Sequence, residues 1–394
     1  MCVRWFAICV VVWAVELIFG NTDAMVNFAA MSKKKETSAL VTDWRSRWQY
    51  PLVPLSWMYG FVVSVRNLLF ELKLFRSVRF DVPIIVVGNL TVGGTGKTPH
   101  TEYLIRLCNN HTIAVLSRGY NRKSKGFMLA DENSTPAVLG DEPFQMSRKF
   151  PRVHCAVDAD RRNGIRRLLK LFPKLELIVL DDAYQHRYVS PKLSVLLVDF
   201  NRPVFDDRML PAGNLRESMS GLKRADVIVV TKTPHDVKPI DKNIFAQNLH
   251  VFPYQKVFFS TYAYGNLIPV LDAAMPTIEK QAFELEGYEI VLLTGIASTQ
   301  SLVEYLTRFA KKLVQLPFPD HHWFGKRDLE QALEAMRYFE GNKRMIVTTE
   351  KDAVKITEIQ NLPNELRRYL YYLPIEVEFL DNQEDFDQIV RNTI

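Results

Sequence analysis

Ile84–Pro99 reads IIVVGNLTVGGTGKTP: an apolar run, a glycine-rich turn, then Gly96-Lys97-Thr98 opening a helix. That order builds a phosphate-binding loop. Glycines let successive backbone N–H groups curl around phosphate oxygens, and the helix N-terminus adds positive dipole. Lys97 would reach the β- and γ-phosphates, and the Thr98 hydroxyl would bind Mg²⁺. The candidate nucleotide-binding residues are therefore Thr91, Val92, Gly93, Gly94, Thr95, Gly96, Lys97 and Thr98. In the common G-x-x-x-x-G-K-[ST] form the leading glycine falls where Thr91 stands here. The bland alternative is a strand-to-helix turn that binds nothing, and a lysine and threonine in their proper places weigh against it.

Outward from the loop, apolar runs alternate with helical stretches. Glu102–Cys108 continues the helix that Lys97 opens, and strand-like runs follow at Thr112–Leu116, Val153–Val157, Leu177–Leu180, Val195–Asp199 and Val227–Thr231. Their apolar residues are continuous rather than alternating. That predicts strands buried on both faces, hence a mostly parallel sheet flanked by helices, the α/β class. The pattern weakens over Val237–Asn248, and Val257–Tyr262 reads as a strand of different character. Beyond it, Ile290–Thr294, helices over Ser301–Lys312 and Lys326–Phe339, and a strand over Met345–Thr348 predict a second, smaller α/β unit.

Apolar residues make up 47% of the 394 and charged residues 24%, which excludes a disordered chain. The net charge of +6 and pI near 9.0 suit a nucleotide, a phosphorylated substrate or an anionic membrane surface, and mild solubility charge explains them equally. Cys2, Cys9, Cys108 and Cys155 have neither metal nor disulfide spacing, which points to a reducing setting. Trp5–Gly20 is apolar but short for a membrane span, with Arg4 before it and Glu16 within it. It reads as a signal-like anchor or as sequence ahead of a true start at Met25 or Met31; the polar Ser32–Ser38 favours the later start. Tyr50–Arg79 is rich in aromatic and aliphatic residues, with Arg66, Lys73, Arg76 and Arg79 among or after them. Two readings stand level: a helix resting in a membrane interface, or a core helix packed on the sheet.

Acidic residues complete the pattern. Leu177–Leu180 runs into Asp181-Asp182, and a strand ending in aspartate after a phosphate loop is the usual second half of a Mg²⁺–nucleotide site. Asp141 and Glu142 open a helix, where capping and dipole effects alone account for acids. Beside a nucleotide they gain a second meaning, because phosphoryl transfer to a hydroxyl needs one carboxylate as proton acceptor and another on Mg²⁺. Arg118 follows the second strand, and Arg161, Arg162, Arg166 and Arg167 make a basic helix: a phosphate site or a solvated face. His186 follows the paired aspartates, and His321 and His322 follow Asp320 in a short loop, suited to tuning an aspartate or to a plain surface turn.

Taken together, Ser56–Gly60 (SWMYG), VGNLTVGGTGKTP (Val87–Pro99), SRGY (Ser117–Tyr120), GDEP (Gly140–Pro143), LDDAYQH (Leu180–His186), LPAGNLRE (Leu210–Glu217), FPDHHWF (Phe318–Phe324) and TEKDAVK (Thr349–Lys355) occur in the order of one family. From about Trp48 onward the chain resembles the tetraacyldisaccharide 4′-kinases, the lipid A kinases of Gram-negative bacteria. The resemblance implies a P-loop NTPase-like core, a smaller C-terminal α/β subdomain joined by a β-ribbon hinge near Val237–Tyr262, and a membrane-associating helix over Tyr50–Arg79. The expected divisions are 1–47, 48–80, 81–250 and 251–394. ATP and Mg²⁺ are the implied cofactors, and an acylated disaccharide-1-phosphate at the cytoplasmic face of the inner membrane is the implied substrate. No nucleic acid and no obligatory protein partner is expected. By motif position Asp141 becomes the base for the sugar hydroxyl, paired with His321; Thr98, Glu142 and Asp181 become the Mg²⁺ candidates. Arg118, Arg162, Asp182, His186 and Arg216 face the substrate or support the site. One departure is Ala183-Tyr184, where the family often has Gly-Phe.

The competing reading is a nucleotide-dependent switch. A guanine reader carries an Asn/Thr-Lys-x-Asp element after a late strand, and Thr231-Lys232-Thr233-Pro234 begins as one but has proline where aspartate belongs.

Overall fold

In the strand Ile84–Asn89 (β1), Ile84 and Val86 enter one buried cluster while Ile85 and Val87 enter another. Helices thus cover the sheet on both sides, which is why the strand reads as an unbroken apolar run. The computed structural model describes residues 41–394 except 273 and 297. The expectations for Trp5–Gly20, Met25 and Met31 lie outside the described residues.

Before β1 runs the helix Val41–Glu71 (α1). After it come α2 (Lys97–Leu107), β2 (Ile113–Ser117), β3 (Met128–Leu129), α3 (Pro136–Leu139), α4 (Asp141–Lys149), β4 (His154–Val157), α5 (Arg161–Leu171) and β5 (Leu177–Asp181). Then follow β6 (Leu193–Asp199), β7 (Val227–Thr231), α6 (Pro239–Asn248) and β8 (Lys256–Tyr264). The rest of the chain holds β9 (Ile268–Pro269), α7 (Lys280–Glu286), β10 (Glu289–Thr294), α8 (Gln300–Phe309), β11 (Lys312–Pro317), α9 (Lys326–Arg337) and β12 (Arg344–Thr349). It ends in α10 (Glu350–Ile356), α11 (Asn364–Tyr369), β13 (Leu370–Leu373), β14 (Ile375–Phe379) and α12 (Gln383–Arg391).

The large sheet has the order β14-β8-β7-β6-β1-β5-β2-β4-β3 and is parallel except at its margins, where β14 and β3 run antiparallel to their neighbours. β1 lies between β5 and β6, so the connections diverge at its C-terminal end, where open α/β sheets bind ligands. The small sheet, β11-β10-β12-β13-β9, is parallel apart from β9. Residues beyond 250 serve both sheets: β8, β14 and α12 belong to the large one, with Phe386 and Val390 of α12 in its core. The stretch expected to hold a hinge, Val237–Tyr262, contains α6 and most of β8. The chain crosses between the sheets after β8 and before β14, where the Gly265 N–H donates to the Pro374 carbonyl at 3.0 Å.

Gly88 shows why the loop after β5 fits so closely. A Cβ at Gly88 would sit 2.6 Å from the Tyr184 Cβ and 2.9 Å from its backbone nitrogen. Tyr184, the residue at the departure noted above, fills this contact and adds an anchor: its hydroxyl donates to the Gly221 carbonyl at 2.7 Å.

α1 answers neither of its two readings alone. Tyr59, Val63 and Phe70 are buried on its inner face, and the Tyr59 hydroxyl donates to the Arg216 carbonyl at 2.7 Å. Arg66 donates to the Gln185 carbonyl at 3.0 Å and Asn67 to Glu217 at 3.2 Å. The outer face is apolar and uncovered, with Trp57 74% and Phe61 70% exposed and Leu68 beside them. Among the described residues, Pro51–Glu71 is the one helical stretch long and apolar enough to cross a membrane.

Candidate active site

The turn after β1 is held open by its own residues. Gly96 caps α2 with φ 87° and Gly93 has φ 104°, both in the region that favours glycine. Asn89 donates to the Thr95 hydroxyl at 2.8 Å, and the Thr231 hydroxyl donates to the Thr95 carbonyl at 3.0 Å. The Val92 N–H donates to Asn214 at 2.8 Å, and Thr91 bridges Leu215, so the LPAGNLRE segment runs alongside. Where a leading glycine is usual, the buried Thr91 is therefore part of a short strand pairing. Lys232, at the end of β7, pairs with Asp199 at 2.7 Å and donates to the Gly94 carbonyl.

Lys97 opens α2, and its Nζ lies 3.7 Å from Asp182. Asp182, at φ 48°, also receives Arg216 at 3.0 Å. Burial would raise the Asp182 carboxyl, but Arg216, Lys97 and Arg161 outweigh it and hold it well below the ordinary carboxylate range. Its neighbour is the opposite case. Burial, then the charges of Glu142 and Asp182, push Asp181 up to about 7. Asp181 Oδ1 accepts from the Thr101 hydroxyl at 3.2 Å, while the buried Oδ2 has no hydrogen-bond partner. A carboxylate oxygen left bare among other carboxylates is the donor set that a hard cation satisfies. Among the described residues no three His, Cys, Asp or Glu side chains converge to enclose a metal by themselves. That suits Mg²⁺, which takes one or two carboxylates and completes its shell from phosphates and water.

Across the edge, Asp141 begins α4 and meets the small lobe. His321 Nδ1 lies 3.0 Å from Asp141 Oδ2, although 180 positions separate the two residues. His321 adopts φ 60°, an uncommon conformation for a non-glycine residue. Its ring packs 5.4 Å from that of Tyr120, in the SRGY turn. Burial would raise the Asp141 carboxyl, but the His321 hydrogen bond and the charges of Lys355 and Lys351 hold it below its ordinary value. Glu142, one residue on, lies 3.6 Å from Lys351.

The cationic residues divide. Arg161 is buried and its guanidinium is spent on the carbonyls of Asp158, Ala159 and Asp182. Burial and the nearby Arg118 bring it down to about 10. Arg162 pairs with Asp160 at 3.1 Å and lies 4.7 Å over the Tyr188 ring. Arg166 and Arg167 are exposed. His186 is largely buried, 3.8 Å from Asp160, and burial and Arg161 push it down to about 3, so it is neutral at neutral pH.

A family model for tetraacyldisaccharide-1-P 4′-kinase matches residues 48–394. The chain belongs to that family. It is 49% identical over 346 residues to the tetraacyldisaccharide 4′-kinase of Bacteroides thetaiotaomicron, covering 86% of this chain and 90% of the relative. The corresponding kinase of Parabacteroides distasonis is 46% identical, over 89% of this chain and 96% of its own length. Among solved structures, the "apo" form of LpxK from Aquifex aeolicus in complex with ATP matches with a TM-score of 0.67 at 26% identity, over 88% of this chain and 99% of that one.

In this member of the 4′-kinase family the structure also brings forward residues that sequence reasoning left aside. Lys351 and Lys355, in the quoted TEKDAVK motif, reach Glu142 and Asp141. Four positions apart, they share one face of α10. Glu217 is buried against Arg224 at 2.8 Å, behind Arg216.

Proposed function

We infer that the chain transfers the γ-phosphoryl group of ATP to the 4′-hydroxyl of a tetraacylated glucosamine disaccharide-1-phosphate, the precursor of lipid A. The observation that carries this reading is the Asp141–His321 pair, whose neighbour Glu142 acts electrostatically on Asp181 beside the phosphate loop's sheet edge. In the step proposed, Asp141 accepts the hydroxyl proton as the oxygen attacks the γ-phosphorus, and the bond to the leaving ADP oxygen breaks with its electron pair on ADP. His321 orients the carboxylate through Nδ1. Lys97 and the backbone N–H groups of Gly93, Gly94, Gly96, Lys97 and Thr98 hold the phosphates, where charge spreads in the transition state. Thr98, Glu142 and Asp181 would hold Mg²⁺, which supplies neutralisation of the β- and γ-phosphate oxygens. Arg118, Arg162, Asp182, His186 and Arg216 line or brace the acceptor side. Transfer of labelled γ-phosphate to a tetraacylated disaccharide-1-phosphate in detergent micelles tests the reading: product is expected with Mg²⁺ and ATP. Nucleotide binding without product would move the reading to a switch.

The acceptor carries acyl chains, so the site must meet a lipid surface. The bare outer face of α1, with exposed Lys73, Arg76 and Arg79 after it, suits an anionic membrane interface and supports a peripheral seat on the cytoplasmic face of the inner membrane. Replacing both Trp57 and Phe61 by serine is expected to cut co-sedimentation with anionic phospholipid vesicles several-fold and leave the melting temperature unchanged, since neither side chain is packed. Unchanged sedimentation would separate α1 from membrane docking.

A further inference from the structure

One lysine in the small lobe is buried without a part in the chemistry so far. The Lys355 side chain is 1% exposed. Its Nζ lies 3.1 Å from Asp141 Oδ2 and 3.6 Å from Asp352 Oδ1, and it donates to the His322 carbonyl at 3.2 Å. One carbonyl hydrogen bond and two carboxylates within ion-pair distance compensate an ammonium taken out of water. Asp352 is itself pinned: its Oδ2 accepts from the Gly295 N–H and the Thr349 hydroxyl, both at 2.8 Å. Lys355 is therefore fixed at its small-lobe end and reaches across to a large-lobe carboxylate.

The contact is directional. His321 and Lys355 both fall on the same oxygen of Asp141, Oδ2. A carboxylate held twice on one oxygen cannot rotate freely, and Oδ1 is left to meet an incoming hydroxyl. α10 lies along α4 through two further ion pairs, Glu350–Lys149 at 2.7 Å and Lys351–Glu142 at 3.6 Å, so the seat of the small lobe and the orientation of the carboxylate are set together.

We propose that Lys355 is a positioning residue for phosphoryl transfer: it locks the Asp141 carboxylate so that Oδ1 takes the acceptor's proton, and it makes that alignment depend on the small lobe being seated. The proposal rests on Asp141 as the base. A misplacement of the order of an ångström at a reacting group costs about a hundredfold in rate.

Lys355→Met in the full chain is expected to lower kcat in the micelle assay by about a hundredfold, with KM for ATP within about twofold of the parent. In an Asp141→Asn background the same substitution should add almost nothing, because Lys355 acts through the carboxylate that is already gone. Retained turnover in Lys355→Met, with turnover lost in Asp141→Asn, overturns the role of Lys355 alone. Retained turnover in Asp141→Asn overturns the base assignment instead. Should Lys355→Met fail to fold, Lys355→Gln takes its place, and loss of ATP binding in both variants makes Lys355 an ordinary structural lysine and ends the proposal.

Discussion

Asp141→Asn is expected to lower turnover by about a thousandfold or more while leaving ATP affinity within a few-fold of the parent. Asparagine keeps the shape of the side chain at the start of α4, so the buried contacts survive. What goes is the negative charge and the capacity to take a proton. On the proposed reading the phosphates are held elsewhere, on the turn between β1 and α2 and on Lys97, whose carboxylate partner is Asp182 and not Asp141. Binding and chemistry should therefore separate cleanly. The measurement is kcat in the micelle assay beside ATP affinity by calorimetry. A variant that no longer binds ATP would place Asp141 in the nucleotide cradle, and one that still turns over would remove it from the chemistry. His321→Ala should fall less, by about ten- to a hundredfold, since the acceptor remains and only one of its two anchors on Oδ2 is lost.

The strand, glycine turn and helix from β1 to α2 were legible in the sequence because their signals are contiguous: an apolar run, glycines and a helix start follow one another, and each is needed for a local reason. The parallel strands β1, β5, β6 and β7 were legible too, since burial on both faces writes itself as an apolar run. β11 and β14 were not. The side chains of β11, KLVQLP, are partly or fully exposed, and β14, IEVEF, alternates at the antiparallel margin. The Asp141–His321 pair is another case. Locally, Asp141 is indistinguishable from any acid in a first helical turn, and only tertiary structure brings a histidine from the other lobe to its carboxylate. Motif resemblance supplied that pairing; periodicity could not. Lys351 and Lys355 were hidden for the same reason, because an i,i+4 pair of lysines ordinarily marks a solvated face. α1 shows the remaining limit, since an apolar helix packed on one side and bare on the other has the same composition as a core helix.

Gly96→Ala should weaken ATP binding by about a hundredfold, through two separable costs. Gly96 sits at φ 87° and ψ 25°, and an L-residue in left-handed backbone costs roughly 1–2 kcal/mol, near tenfold in an equilibrium. The second cost is a clash: a Cβ there would lie 2.2 Å from the Tyr262 hydroxyl oxygen, while the next nearest atoms, the Tyr262 Cζ and His100 Nδ1, are at ordinary contact distances of 3.4 and 3.5 Å. His100 cannot give way readily. It is buried, close to the Gly96 carbonyl at 2.7 Å and the Ser260 hydroxyl at 3.0 Å, and burial pushes its ring down to about 4, so it stays neutral. Tyr262, the residue that clashes, packs against the buried core and is likewise held, so the strain falls on the loop and the N–H groups at the start of α2 turn away from the phosphates. Tyr262→Phe removes the one atom that clashes. In the Gly96→Ala background it should recover about tenfold of the lost affinity and leave the backbone cost behind. Normal ATP binding in Gly96→Ala would mean that the loop rearranges freely. An affinity unchanged by the second substitution would mean that backbone strain, and not the Tyr262 contact, sets the whole loss.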